Sequence, residues 1–106
     1  MNNMVACGNS TEIELRYTQS GKAVVSFSIA MKSKKGEEVI TTWQKVEAWD
    51  SLAENLAANV QKGDRVMVSG RIKTDEYTNK EGEKRTTPVL VADEAGVSLR
   101  WSRDRD

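Results

Sequence analysis

The chain has no histidine, one cysteine, one proline and no net charge, sixteen Lys and Arg balancing sixteen Asp and Glu in 106 residues. Without histidine there is no Ser/His or Cys/His nucleophile pair, and Cys7 alone cannot supply the soft donors of a zinc site. A single cysteine also excludes an internal disulfide. It fits a reducing compartment, with Cys7 as a small apolar side chain by default. Zero net charge means that any electrostatic argument rests on where the charges sit. No apolar run approaches a membrane span, and the polar start Met1-Asn2-Asn3 lacks the basic and apolar parts of a secretory signal. No Gly-rich phosphate loop ends in Lys and Ser/Thr, and no carboxylate pair stands out. The expectation is a cytoplasmic protein that is not an enzyme, with no catalytic residue, cofactor, metal or membrane partner.

What is present reads as one domain, mainly β. Ala23 to Met31 alternates, with Val25, Phe27, Ile29 and Met31 on one face and Val24, Ser26, Ser28 and Ala30 on the other. Turn chemistry flanks it at Thr18-Gln19-Ser20-Gly21 and at Lys34-Lys35-Gly36-Glu37-Glu38. Met4 to Gly8 and Ile13 to Tyr17 read as one earlier strand broken near Gly8-Asn9. Leu52, Leu56 and Val60 predict a helix over Ser51 to Val60, with Ser51 and Glu54 as a capping box and Gly63 as its stop. Asp50 and Glu54 are assigned to that helix terminus. Arg65 to Tyr77 is a further strand bent at Gly70, and Lys84 to Ala92 returns from a Lys80-Glu81-Gly82-Glu83 hairpin. Pro88 needs a place on that strand without a ladder donor, at an edge or a bulge.

In Thr41 to Trp49, period-2 geometry puts Trp43, Lys45 and Trp49 on one strand face, the two indoles ~20 Å apart. Bases can stack on flat rings while a cation holds phosphate, but strand tryptophans are also common core residues. Periodicity leaves both readings open. Three strands, one helix and two more strands fit an OB-fold, as they do other small barrels and α+β sandwiches with similar elements. The OB-fold is a five-stranded Greek-key barrel with its helix between strands 3 and 4 and its ligand face on strands 2 and 3.

Gly8-Asn9, Leu15-Arg16-Tyr17-Thr18-Gln19-Ser20-Gly21-Lys22-Ala23-Val24, Thr42-Trp43, Leu52-Ala53-Glu54-Asn55 and Lys62-Gly63-Asp64-Arg65-Val66 recur in this order in bacterial single-stranded DNA-binding proteins. Gly70-Arg71 and Gly82-Glu83-Lys84-Arg85 continue the series, and from about Met4 to Leu99 the chain closely resembles that family. Val91 to Trp101 is most similar to its actinobacterial branch, or to a phage or plasmid relative. The resemblance implies an OB-fold domain over 1–101, a short charged end at 102–106, and binding and protection of single-stranded DNA during replication, recombination or repair. It implies a homotetramer, with a dimer as runner-up, located in the bacterial nucleoid or, for a phage protein, the host cytoplasm. By position, Trp43, Trp49 and Tyr77 match stacking aromatics, and Lys45, Lys73, Arg85 and Lys62 match backbone-contacting cations. Arg71 joins them as a candidate. Lys32, Lys34 and Lys35 add a basic hairpin that suits phosphate but equally suits a solvated tip.

The chain also departs from the family. Its hairpin from Ser33 to Glu38 has no aromatic, so Trp43 and Trp49 are expected to carry more of the stacking. Glu47 lies between them, and Asp75 and Glu76 precede Tyr77, where repulsion of phosphate would weaken or redirect the path. Asn3 and Ser51 stand where relatives often have lysine. Neither the Gly/Pro/Gln-rich linker nor the acidic tip through which relatives recruit replication proteins is seen, and Trp101 is expected at a subunit interface. An alternative is an OB-fold protein-interaction or replication-restart module with weak single-stranded DNA or RNA binding.

Overall fold

The computed structural model describes residues 3–100, so the expectations for Trp101 and for 102–106 lie outside the described residues. The elements are β1 (Met4–Ser10), β2 (Glu14–Tyr17), β3 (Ala23–Lys35), β4 (Glu38–Trp49), α1 (Asp50–Asn59), β5 (Arg65–Thr78) and β6 (Lys84–Val97). One sheet runs β1-β5-β6-β4-β3-β2, and β1 also pairs with β3, which closes it into a ring. This is the mainly β OB-type barrel that the element order allows and the family resemblance implies, with its helix between β4 and β5. No helix among the described residues is long and apolar enough to cross a membrane.

Six strands replace the expected five because the first is divided, and the division falls after Ser10 instead of near Gly8-Asn9. Gly8 stays in the ladder, opposite Val66. Its missing side chain serves close packing, since a Cβ there would lie 2.5 Å from the Ala30 carbonyl oxygen. The turn follows at Thr11, whose N–H donates to the Ser28 carbonyl and whose Oγ1 accepts from the Ser28 N–H, 2.9 Å each. A side chain thus replaces the backbone pairing that the strand gives up.

Gly70 does mark an irregularity. The β5–β6 register steps from Ser69 opposite Glu94 to Gly70 opposite Ala92, and a Cβ at Gly70 would fall on the Val91 carbonyl oxygen. Pro88 sits just before the parallel β4–β6 ladder begins at Val89, and its carbonyl accepts from Gln44 Nε2 at 3.3 Å.

The barrel interior holds Val25, Phe27, Ile29, Val46, Ala48, Val66, Val68, Leu90 and Ala92, sealed at one end by Ala53 and Leu56 of α1. Alternation on β3 is borne out for Val25, Phe27 and Ile29, but Val24 and Ala30 are buried on the other face as well. Their cross-strand partners are Trp49 and Trp43, rings large enough to cover them.

The expected capping box does not form. Trp49 occupies the cap position with no side-chain cap bond, and Asp50 takes a left-handed φ of 60° where β4 runs straight into α1. Glu54 turns away instead, accepting from the Tyr17 hydroxyl at 3.2 Å. Helix α1 ends at Asn59, before the expected stop. Gly63, at φ 92°, belongs to the following turn, in which Asp64 N–H donates to the Gln61 carbonyl.

Candidate nucleic-acid interface

Along β4, Gln44, Val46 and Ala48 are buried, so Trp43, Lys45, Glu47 and Trp49 point outward together. The two indoles differ in setting. Trp43 is 61% exposed, which rules out a core role. Trp49 is half-buried, and its Nε1–H donates to Glu47 Oε2 at 2.8 Å. Trp43 is therefore an open platform, and Trp49 a braced wall.

Strand register brings β5 and β6 candidates to the same face. Lys45 is opposite Val89, and Val89 is opposite Lys73; Glu47 is opposite Val91, and Val91 is opposite Arg71. Val89, only 4% exposed, lies between the stems of Lys45 and Lys73. Farther along, Tyr77 pairs with Arg85. An open cleft of about 450 Å³, lined by Lys45, Asp75, Glu76, Tyr77 and Thr87, joins the cation beside Trp43 to the β5 aromatic. Tyr77 is half exposed there.

Register also divides the basic hairpin. Lys32 is opposite Thr41 and Lys34 opposite Val39, in the same alternate rows as Ala30 and Trp43. Lys35, opposite Glu38, falls on the other side. Lys62 lies in the turn after α1, which reaches this face through Asn9: its Nδ2 donates to the Gly63 carbonyl at 3.0 Å, and Asn9 is opposite Ala30.

Ion pairing grades these cations. Lys73 Nζ lies 3.1 Å from Glu47 and 3.5 Å from Asp75. Its hydrogen bond to Glu47 holds the ammonium above the usual 10.5, against a desolvation that pulls the other way, while attraction from both carboxylates adds to the rise. Arg71 lies 3.9 Å from Asp93, and Arg85 3.2 Å from Glu83. Among the described residues, no carboxylate lies within 4.0 Å of Lys32, Lys34, Lys45 or Lys62.

Two features of this face escape a sequence reading. Val39, 62% exposed, extends the outward row of Trp43 and Thr41 toward the hairpin tip, and stepping back by twos from Trp43 would have found it. Glu47 reads in the sequence as an isolated repulsive charge, yet it is the shared acceptor of Trp49 and Lys73.

The single-strand binding protein family matches residues 1–98. A single-stranded DNA-binding protein of Paenarthrobacter aurescens is 43% identical over 103 residues, covering 90% of this chain and 60% of the relative. The protein of that name from Mycobacterium leprae is 40% identical over 103 residues, covering 90% and 61%. That of Corynebacterium glutamicum is 38% identical over 109 residues, covering 95% and 48%. The chain thus spans less than two thirds of the length of these relatives.

Proposed function

The chain belongs to the single-strand binding protein family, and we propose that it binds single-stranded DNA without sequence preference, protecting it during replication, recombination or repair. The observation that carries this reading is the open Trp43 ring beside Lys45, a cation with no carboxylate within 4.0 Å among the described residues, at the mouth of the Tyr77 cleft. An indole stacks on any base, contributing about 1–3 kcal/mol per base on truncation, and a lysine meets phosphate regardless of sequence. Trp43, Lys45 and Tyr77 form the centre of the site. Lys32 and Lys34 extend it along the hairpin, Arg71, Arg85 and Lys62 lie at its margins, and Trp49 bounds it. Chemistry of this kind binds and does not catalyse.

Oligo(dT) should quench the tryptophan fluorescence, and rising salt should weaken binding with a slope of about 0.7 per neutralised phosphate. Absence of quenching at low salt would refute the reading. Competition with a matched RNA oligomer tests the choice of DNA, because neither stacking nor phosphate contact recognises a 2′-hydroxyl.

A homotetramer acting in the bacterial cytoplasm or nucleoid completes the proposal. Its support is an apolar flank away from Trp43, where Val5 and Met67 are 63% and 47% exposed beside a shallow groove floored by Ala95, Gly96 and Val97.

A further inference from the structure

One carboxylate on the proposed DNA face is hardly open to solvent. The Glu47 side chain is 14% exposed, and its Oε2 receives both the Trp49 indole N–H at 2.8 Å and the Lys73 ammonium at 3.1 Å. Asp75 closes on Lys73 from the far side at 3.5 Å. One ammonium thus faces two carboxylates, and their local sum is negative. A phosphate reaching Lys73 would meet that net charge and would have to displace a charge-assisted hydrogen bond already made. Lys45, in the same cross-strand row beyond Val89, has no such partner among the described residues.

We propose that Glu47 is a positioning residue that braces the Trp49 ring and withholds Lys73 from phosphate, so that the DNA backbone is directed past Lys45 toward Trp43 and the hairpin lysines. The inference rests on the single-stranded DNA reading and adds an internal competitor to it. Glu47 takes the place of a phosphate at Lys73 when DNA is absent and keeps that place when DNA is bound. Two consequences separate this arrangement from a simple cationic face. Removing the Lys73 charge costs almost no binding while Glu47 is present. Neutralising Glu47 leaves Lys73 opposed only by the exposed Asp75 at 3.5 Å, a contact that phosphate can displace, and so strengthens binding, whereas a purely structural acid would weaken it.

The test is a double-mutant cycle in oligo(dT) binding, read by fluorescence over a salt series with native protein, Lys73→Gln, Glu47→Gln and the double variant. In the native background Lys73→Gln should leave the salt slope nearly unchanged. Glu47→Gln keeps an acceptor for the Trp49 indole; it should raise affinity at low salt and steepen the slope by about 0.7, the share of one further phosphate on a single strand. Adding Lys73→Gln to it should remove that gain. A slope lowered by about 0.7 in Lys73→Gln alone would overturn the proposal, and this arm holds even if Glu47→Gln fails to fold. So would an unchanged slope in folded Glu47→Gln. Binding that persists with uncoupled slopes refutes only the role of Glu47, whereas no binding in any of the four proteins refutes the DNA reading with it.

Discussion

At the scale of the residue, the two tryptophans share a strand face but not a job. Trp43 offers its ring to solvent, while Trp49 is half-buried and tied by its N–H to Glu47. Trp43→Ala should therefore cost about 1–3 kcal/mol of oligonucleotide affinity with little change in melting temperature. Trp49→Ala should lower the melting temperature first, because the ring beside buried Val24 is lost. Titration calorimetry and thermal unfolding on the same samples separate the two outcomes.

Tyr17 provides a pH-dependent contact. The hydrogen bond to Glu54, followed by that carboxylate's charge and slight desolvation, raises the phenol above its ordinary 10.0. A folded-state value above the unfolded one favours folding at pH below 10.0 and is lost as pH climbs through the raised value. Phenolate absorbance should show a step above pH 10.0 that Tyr17→Phe removes.

At the scale of the element, strands were legible wherever one face is buried, because alternation then appears in the side chains themselves. Val25, Phe27 and Ile29 show this on β3. The break in the first strand was misplaced because a glycine in sequence does not reveal whether it bends the chain or admits a neighbour. Gly8 admits the Ala30 carbonyl, and Gly70 combines both roles. Gly70→Ala should destabilise the fold by about 1–3 kcal/mol, since the methyl meets backbone that cannot turn aside. Denaturant unfolding measures this directly.

The hairpin raises the same question of facing. A run of lysines looks uniform, yet pairing sets Lys34 in the Trp43 row and Lys35 behind it. Lys34→Gln should reduce the salt slope of oligonucleotide binding by about 0.7, and Lys35→Gln should change it little. The capping box failed for a related reason. Glu54 matched the spacing, but Tyr17, thirty-seven positions earlier, claimed its carboxylate.

At the scale of the whole molecule, ring closure gives the barrel two separate outer flanks. One carries Trp43, Lys45 and the Tyr77 cleft; the other exposes Val5 and Met67. Assembly through the apolar flank would leave the first flank open. Met67→Glu should then lower the mass seen by light scattering, with oligonucleotide binding per subunit changed less than assembly. Equal loss of both would place the two functions on one surface.

Alternation and the order of elements were sufficient to place the strands and the helix of a small β-rich domain, and the family resemblance to expect a barrel, because burial period and residue type are local properties of a chain. They also placed Trp43, Lys45 and Trp49 on one face. Only the tertiary structure decided that Trp43 is open and Trp49 braced, that Tyr77 lies across a cleft from Lys45, and that Lys73 is occupied by Glu47 and Asp75. Exposure and ion pairing depend on which distant strands become neighbours. Here Glu47 and Lys73 lie twenty-six positions apart on strands that flank β6.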